Sequence, residues 1–322
     1  MNILVTGGAG FIGSHVVDAL IGAGHHVSIV DNLWERGGGK IENINPNATF
    51  YKVNICEDAL SEVFQKEKPE VVCHLAAQHS VKISTEDPAH DANVNILGLI
   101  NVLQNATRFG VRKIVFSSSG ATYGTVEKMP VDEKTTQHPE SPYGTTKMAS
   151  ESYLRFWKNM YGLDFTILRY GNVYGPRQDP FGEAGVIAIF SRKILINEPV
   201  RIDWDGEQQK DYVYVGDVAR ANLLALSAGD GEVYCIAYGR GTSVNTLYHS
   251  LANEIGHEVE IQRAYKRPGD IYLSYFDCSK AHHELGWEPE IGLEEGLRLT
   301  VNYFQNWLVG VKFESLNTKA LV

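Results

Sequence analysis

The pattern that most restricts the fold lies in the first 31 residues. Residues 2–6 (Asn-Ile-Leu-Val-Thr) form a short apolar run of the kind buried in a parallel sheet, and a glycine-rich turn over residues 7–13 follows directly. An apolar helical pattern and a second apolar run come next, and this run ends in Asp31. The order of strand, glycine turn, helix, strand and acid predicts a parallel α/β sheet.

The same arrangement is typical of dinucleotide binding. Gly7, Gly10 and Gly13 would let the backbone turn tightly, approach a pyrophosphate and pack the helix against the strand. The N-terminal amides of that helix would then face the phosphates. Asp31 is placed to accept hydrogen bonds from a ribose hydroxyl and to repel a 2′-phosphate. We therefore expect NAD, although two basic residues nearby leave NADP open.

The chain beyond Asp31 continues the alternation of apolar runs and helical patterns. The predicted strands of the sheet are residues 2–6, 26–30, 50–53, 70–75, 112–116 and 164–168. From residue 169 the period breaks into a polar, aromatic loop followed by shorter mixed elements. We expect a doubly wound parallel sheet over residues 1–171, with residues 211–230 packing back on it, and a smaller α/β substrate-binding domain over residues 172–322.

Composition limits the classes of partner. The net charge of −10 disfavours binding to nucleic acid or to an anionic membrane, so local basic residues must meet any anionic ligand. No stretch approaches eighteen apolar residues, and the chain starts directly in a strand without a signal peptide. Four cysteines are scattered without metal or redox spacing, which predicts reduced thiols, no metal site and a cytoplasmic location.

Residues 143–147 (Tyr-Gly-Thr-Thr-Lys) begin a predicted helix that runs to about residue 161. Positions four apart lie above one another on a helix, so Tyr143 and Lys147 would share a face. The pKa of a phenol, near 10 in water, must fall by about three units, or roughly 4 kcal/mol, for a base at neutral pH. A nearby ammonium supplies part of this, and an oxidised nicotinamide ring supplies more. Such a pair alone arises by chance, but beside the glycine turn it indicates hydride chemistry on a carbinol.

Three serines, residues 117–119, follow the fifth predicted strand. In open parallel sheets, ligands bind outside the carboxyl ends of the strands. The serines are therefore candidate hydroxyl donors, and Ser119 would hold a substrate hydroxyl while Tyr143 takes its proton. Their alternative role is to form the turn that ends the strand.

Further sequence motifs accompany these features along the chain. They are residues 6–15 (TGGAGFIGSH), 31–33 (DNL), 74–78 (HLAAQ), 117–124 (SSSGATYG), 143–147, 172–177 (NVYGPR), 211–215 (DYVYV) and 267–270 (RPGD). Together they resemble the extended short-chain dehydrogenase/reductase family over nearly the whole chain, and within it the nucleotide-sugar 4-epimerases. The resemblance implies a Rossmann fold, tightly held NAD and a UDP-sugar substrate.

The resemblance also implies the site residues. The catalytic residues would be Ser119, Tyr143 and Lys147. The cofactor residues would be Gly7, Gly10, Phe11, Ile12, Gly13, Asp31, Asn32, Asn54, Ile55, Leu75, Ala76, Ala77, Asn95, Ser117, Tyr143, Lys147 and Tyr170. The substrate residues would be Ser119, Tyr143, Asn172, Arg177, Val186, Lys210, Tyr212, Arg267 and Asp270. Relatives usually carry Asp at position 54 and Arg at position 210; a lysine keeps the charge but loses the bidentate fork.

The reaction type depends on the two positions after Ser119. Sugar 4,6-dehydratases of the family carry an Asp-Glu pair there, which protonates the leaving O6 and removes the C5 proton. This chain carries Gly120 and Ala121, so elimination would lack its acid and its base. The remaining side chains suffice for reversible oxidation at C4. The resemblance therefore implies inversion of C4 of a UDP-hexose through a transient 4-keto sugar.

Substrate identity and assembly are expected by resemblance alone. Ser274 is small where relatives use a bulky Tyr to exclude N-acetyl groups, so UDP-glucose, UDP-galactose and their N-acetylated forms would all fit. UDP-glucuronate 4-epimerases share most of the motifs, and an NADP-linked 4-reductase or a non-catalytic NAD-binding regulator is a further alternative. Relatives form homodimers through the helices equivalent to residues 91–109 and 143–161.

Overall fold

The computed structural model describes residues 1–181, 185–266 and 271–319, and their side chains as far as residue 310. The strands are β1 (Asn2–Thr6), β2 (His26–Asp31), β3 (Thr49–Lys52), β4 (Val71–His74), β5 (Lys113–Ser119), β6 (Asp164–Tyr170), β7 (Asn172–Tyr174), β8 (Val200–Asp203), β9 (Gln209–Tyr214), β10 (Glu232–Ile236), β11 (Gly241–Ser243), β12 (Ile261–Ala264) and β13 (Leu273–Ser274). The helices are α1 (Phe11–Gly22), α2 (Leu60–Glu67), α3 (Val81–Glu86), α4 (Pro88–Ala92), α5 (Gly98–Arg108), α6 (Pro142–Tyr161), α7 (Val186–Leu195), α8 (Val215–Ala225), α9 (Val244–Ile255), α10 (Ser279–Leu285) and α11 (Leu293–Lys319). One π-helical turn (Asn93–Leu97) joins α4 to α5.

Seven parallel strands form the central sheet in the order β10-β6-β5-β4-β1-β2-β3. Side chains alternate along β1: Ile3 and Val5 pack with α1 and α8 on one face, while Leu4 packs with α2 and α5 on the other. Both faces are covered, which explains the unbroken apolar runs of the strands. The chain leaves β1 first toward β2 and later toward β4, so a ligand crevice opens where the order reverses. The predicted doubly wound fold is confirmed.

The end of β5 differs from the prediction. The strand does not stop at residue 116 but continues through Ser119, whose backbone pairs with that of Tyr170 on β6. Ser117 and Ser118 are paired in the same ladder. The serines are therefore strand residues rather than turn formers, because β6 supplies backbone partners for all three. The turn begins at Gly120.

The sheet also contains a seventh strand that the sequence pattern did not reveal. Strand β10 pairs with β6 in parallel, although it follows the elements of the smaller domain. Helix α8, inside the segment expected to pack back, contributes Val218 and Ala221 to the same apolar cluster as Val16 and Leu20 of α1. The segment that returns to the sheet thus extends beyond residue 230, to the end of β10.

A second, smaller sheet begins at β7, directly after the end of β6. Its strand β9 pairs with β7 and β13 in parallel and with β11 antiparallel. This register sets Lys210 beside Ser274 and Tyr212 beside Asn172. Helices α7, α9 and α11 pack around one apolar cluster that includes Leu247. Within the described residues, none of the helices is long and apolar enough to cross a membrane.

Candidate active site

The glycine turn after β1 is closely packed against the segment that follows β4. Gly7 has a φ of +73°, and a Cβ added there would lie 2.6 Å from the backbone nitrogen of Ala76. A Cβ on Gly13 would lie 2.0 Å from the carbonyl oxygen of Gly7. The Leu75 and Ala76 amides in turn donate to the carbonyl and hydroxyl of Thr6. These contacts fasten residues 75–77 beside the turn.

The first turn of α1 faces the crevice. Gly10 occupies the N-cap position of α1 and makes no side-chain hydrogen bond to the helix. The backbone amides of Phe11 and Ile12 are therefore not capped by that residue. Free amides at a helix N-terminus favour a phosphate. The glycine turn and the backbone amides at the start of α1 therefore fit the pyrophosphate of a dinucleotide.

Gly13→Ala tests this packing. The added methyl group would overlap the Gly7 carbonyl, so the turn must shift. We expect NAD binding to weaken by about 1–3 kcal/mol, roughly 5- to 150-fold, measured by titration and by the NAD content of the purified protein. Gly22→Ala at the other end of α1 is the matched control, because no atom lies within 4 Å of its added Cβ. Equal NAD affinity in the two variants would contradict the assignment.

Asp31 lies at the end of β2, buried beside the glycine turn. Its Oδ2 accepts from the Ala9 amide at 3.1 Å and its Oδ1 from the Leu33 amide at 2.9 Å. Burial raises the pKa of this carboxyl, and the two backbone bonds oppose that rise. A carboxylate has about four acceptor positions, so two remain for ribose hydroxyls.

Three of the residues expected to contact the cofactor are placed by local turns. The side-chain oxygen of Asn32 accepts from the Trp34 amide at 3.1 Å, and that of Asn54 accepts from the Cys56 amide at 3.0 Å. Ile55 is buried in the core behind this loop. Each Asn thus uses its oxygen to shape its own loop, which leaves the amide nitrogen as the group to face a ligand.

Helix α6 begins so that Tyr143 meets the end of β5. Ser141 caps the helix by accepting from the Gly144 amide at 3.1 Å, and Pro142 occupies the first turn. A Cβ on Gly144 would lie 2.5 Å from the Ala121 carbonyl, so the helix can approach β5 closely only with glycine there. Ser119 and Tyr143 are joined by a side-chain hydrogen bond.

Lys147 lies one turn further along α6 and is buried. Its Nζ donates to the Ser117 carbonyl at 2.7 Å and lies 5.9 Å from the centre of the Tyr143 ring. Burial lowers the pKa of Lys147 to about 8, although the Asp91 and Glu151 carboxylates oppose that change. The ammonium has donors beyond the one used for Ser117, which suits it to bind a ribose.

The expectation that Lys147 lowers the pKa of Tyr143 is wrong when only the residues of the chain are considered. Burial raises the pKa of Tyr143 to about 12, the Ser119 hydrogen bond lowers it and the Asp91 carboxylate raises it. Lys147 was expected to lower it, but its ammonium is directed at the Ser117 carbonyl. The sequence argument counted the charge and omitted the desolvation of the phenol. A further positive charge at the site is therefore needed for a base near neutral pH.

Tyr170 and Ser117 lie on neighbouring strands beneath Tyr143. The Tyr170 hydroxyl accepts from Asn222 Nδ2 at 2.8 Å and shares a side-chain hydrogen bond with Ser117. Both residues are buried. The pair forms part of the floor of the crevice.

Sequence reasoning missed a buried ion pair below this floor. Glu151 of α6 and Arg169 of β6 form two parallel bonds, Nε to Oε1 at 2.9 Å and Nη2 to Oε2 at 2.7 Å. Ser118 also donates to Glu151 Oε1 at 2.7 Å. The helical spacing could have indicated Glu151, since it lies four residues after Lys147 and on the same helix face. The pair ties the catalytic helix to β5 and β6.

The positions that carry carboxyls in dehydratases are closed here. A Cβ on Gly120 would lie 2.4 Å from the ring of Phe276, and that ring is buried in a small apolar cluster. Ala121 follows, with its amide donating to Ser119 Oγ at 3.1 Å. A side chain at position 120 would need the Phe276 ring to move. The site therefore offers hydroxyl, phenol and ammonium groups, and the two residues directly after Ser119 carry no carboxyl.

The expected substrate residues fall into three groups. Asn172, Lys210 and Tyr212 come together on β7 and β9, and Lys210 Nζ donates to the Ile271 carbonyl at 2.6 Å. Val186 is the first residue of α7. Arg177 instead pairs with Asp18 halfway along α1, at 2.7 Å, which directs it away from β9. Arg267 and Asp270 lie outside the described residues.

Comparison with known proteins agrees with this geometry. A family model described as GDP-mannose 4,6 dehydratase matches residues 4–300. UDP-glucose 4-epimerase of Mycolicibacterium smegmatis is 42% identical over 95% of this chain and 99% of its own length. UDP-glucose 4-epimerase of Thermotoga maritima, solved with UDP-glucose, is 52% identical with a TM-score of 0.93, covering 96% of this chain and 100% of that chain. UDP-glucose 4-epimerase of Thermus thermophilus, solved in complex with NAD, is 43% identical with a TM-score of 0.90, covering 95% of this chain and 99% of that chain.

The matches span both domains, the glycine turn and the catalytic helix. The family model carries the name of a dehydratase, while this chain has Gly120 and Ala121 directly after Ser119. The chain belongs to the extended short-chain dehydrogenase/reductase family, in its nucleotide-sugar epimerase branch.

Proposed function

We propose that this protein inverts C4 of a UDP-hexose with a tightly held NAD, through a transient 4-keto sugar. The observation that carries the proposal is the grouping of Ser119, Tyr143 and Lys147 at the carboxyl edge of the sheet, beside the glycine turn, with Gly120 and Ala121 rather than carboxyl residues directly after Ser119. This set can move one proton and one hydride at a carbinol but cannot eliminate water.

Each side chain has one task in the reaction. Ser119 holds the substrate O4 by a hydrogen bond, and Tyr143 Oη takes the O4 proton while the C4–H bond gives up hydride. NAD supplies the hydride acceptor and afterwards the hydride donor. Lys147 binds the ribose of the cofactor. After the keto sugar turns over, Tyr143 returns the proton as hydride enters the opposite face, so no electrons leave the protein.

Retention of the cofactor follows from this balance. A cycle that ends with the cofactor in its starting redox state gains nothing by releasing it, whereas a 4-reductase must exchange it each turnover. Asp31, with two acceptor positions left, favours a ribose hydroxyl over the 2′-phosphate of NADP. The absorbance of the purified protein near the nicotinamide and adenine bands distinguishes an epimerase from a 4-reductase. Loss of the cofactor on purification, together with activity that depends on added NADPH, would support a reductase.

The test of function uses the protein as purified. It is incubated with UDP-glucose, UDP-N-acetylglucosamine and UDP-glucuronate without added cofactor, and the sugars are analysed for inversion at C4. We expect UDP-galactose from UDP-glucose. Turnover of UDP-glucuronate alone would reassign the substrate, and no C4-inverted product in any arm would overturn the proposal.

Ser274 is proposed to set tolerance at C2 of the sugar. It lies on β13 directly beside Lys210, and a serine leaves room that a bulky side chain would fill. We expect Ser274→Tyr to lower turnover of UDP-N-acetylglucosamine at least about tenfold, while turnover of UDP-glucose changes little, because the overlap concerns the N-acetyl group alone. Leu273→Tyr is the control, since neighbouring strand residues point to opposite faces. The assignment fails if both substrates are affected alike, or if the wild type does not accept the N-acetylated sugar.

We also propose a homodimer formed through α5 and α6. Large apolar side chains are exposed on these elements, with Phe156 50% and Met160 63% exposed on α6 and Leu97 57% exposed before α5. A patch of this kind on a folded chain is typical of a protein interface. Sedimentation of the wild type and of Phe156→Asp tests the idea; a wild-type monomer would end it.

The proposed location is the cytoplasm. All four cysteines are unpaired, and Cys73 and Cys235 are buried. Reduced thiols are typical of that compartment. Fractionation of cells that express the protein would decide the point, and recovery outside the cytoplasm would contradict it.

A further inference from the structure

A buried carboxylate, Asp91, lies behind the Tyr143–Lys147 pair and is not used in the proposed reaction. It stands on α4, is fully buried and accepts three side-chain hydrogen bonds. Gln78 Nε2 donates to Oδ1 at 2.7 Å, Asn95 Nδ2 donates to Oδ1 at 3.1 Å, and Thr146 Oγ1 donates to Oδ2 at 2.8 Å. A buried ionised group with this many donors is costly to lose.

Each donor belongs to a different element of the site. Gln78 ends the segment that runs beside the glycine turn, Asn95 lies in the π-helical turn, and Thr146 precedes Lys147 on α6. Asn95 completes the cluster, because its Oδ1 accepts from the Gln78 amide at 2.9 Å and its Nδ2 donates to Thr146 Oγ1 at 3.1 Å. A π turn inside a helix is often found at functional sites. Here it places Asn95 between the two segments.

Asn95 was expected to contact the cofactor, and its contacts suggest an indirect role. Its side-chain oxygen and nitrogen are both engaged within the chain, with the Gln78 backbone, Asp91 and Thr146. The side chain therefore acts by fixing its neighbours. Asp91 is the charged member of this group.

The charge of Asp91 also acts on the catalytic pair. Its carboxylate favours the protonated form of both Lys147 and Tyr143, and so raises the pKa of each. The titratable groups that face Asp91 or Lys147 are Tyr143, Lys147 and Glu151 of α6, His90 of α4, His74 of β4 and His79 after it. Of these, Glu151 is already paired with Arg169.

We propose that Asp91 is a positioning residue of the C4 oxidoreduction: its carboxylate joins the segment after β4, the π turn and the catalytic helix, and its negative charge faces the Tyr143–Lys147 pair. This inference rests on the proposed function. It assigns Asp91 no contact with substrate or cofactor.

Two variants separate the hydrogen bonds from the charge. Asp91→Asn keeps the shape and removes the charge, whereas Thr146→Val removes the hydroxyl that bonds to Asp91 and Asn95 and leaves the charge. Both should lower kcat for UDP-glucose with little change in KM, Asp91→Asn by roughly 10- to 100-fold, because a shift of the catalytic pair affects the chemical step. Only Asp91→Asn should move the pH profile of kcat toward lower pH, since Lys147 and Tyr143 would then lose their protons more readily.

A buried serine remote from this cluster provides the control. Ser191→Ala on α7 removes a fully buried hydroxyl and should keep the wild-type kcat and profile. The proposal is overturned by a wild-type kcat in folded Thr146→Val, by a wild-type profile in Asp91→Asn, or by equal displacement of the profile in both. Should Asp91→Asn fail to fold, Thr146→Val still decides the positioning claim. An inactive wild type would instead count against the proposed function.

Discussion

Tyr143→Phe should lower kcat for C4 inversion by about 10³-fold while leaving the protein folded and loaded with NAD. The change removes the one atom that exchanges a proton with the substrate O4, and general acid–base groups contribute on the order of 10²- to 10⁴-fold. Burial already raises the pKa of this phenol to about 12. Initial rates with UDP-glucose, together with the NAD content, measure the effect.

Tyr161→Phe is the control on the same helix. Tyr161 ends α6 and is exposed, so loss of its hydroxyl should leave kcat unchanged. A Tyr143→Phe protein that retains more than about a tenth of the wild-type rate, with NAD bound, would remove Tyr143 from the mechanism.

Arg169→Leu should lower the free energy of unfolding by about 3–5 kcal/mol. The substitution leaves the Glu151 carboxylate buried without its partner, and removing one member of a buried pair costs about that much. Glu151 is fully buried and Arg169 is 2% exposed. The measurement is denaturant unfolding followed by circular dichroism. Because Glu151 lies on α6, we expect activity to fall as well.

Arg298→Leu provides the matched comparison. Arg298 and Glu295 also form a close pair, but their side chains are 50% and 43% exposed, so the pair contributes at most about 1 kcal/mol. If Arg169→Leu were no more destabilising than Arg298→Leu, the buried pair would not be what holds α6 against the sheet.

The fold was predictable in its central part because the signals were local. The strand β1, the glycine turn and Asp31 lie within 31 residues, and periodicity identified six of the seven strands. Strand β10 was missed because its partner β6 lies more than sixty residues earlier, and no local pattern links the two. The serines of β5 were misread for a similar reason, since backbone pairing with β6 decides that they are strand.

The site was predictable in its identities and less so in its electrostatics. Sequence spacing brought Tyr143 and Lys147 to one helix face, and the structure adds the hydrogen bond between Ser119 and the phenol. Burial, which raises the pKa of Tyr143 and lowers that of Lys147, depends on packing that no spacing reveals. Arg177 shows the same limit: it was expected to contact the substrate, and the fold pairs it with Asp18.

The most direct test follows one hydrogen atom. UDP-glucose labelled with deuterium at C4 is incubated with the purified protein in ordinary water, without added cofactor, and the product is examined by NMR and mass spectrometry. If one captive nicotinamide takes and returns the same hydride, UDP-galactose will carry the deuterium at C4. Product that has exchanged its C4 deuterium for solvent hydrogen, or has moved the label to another carbon, would contradict the account.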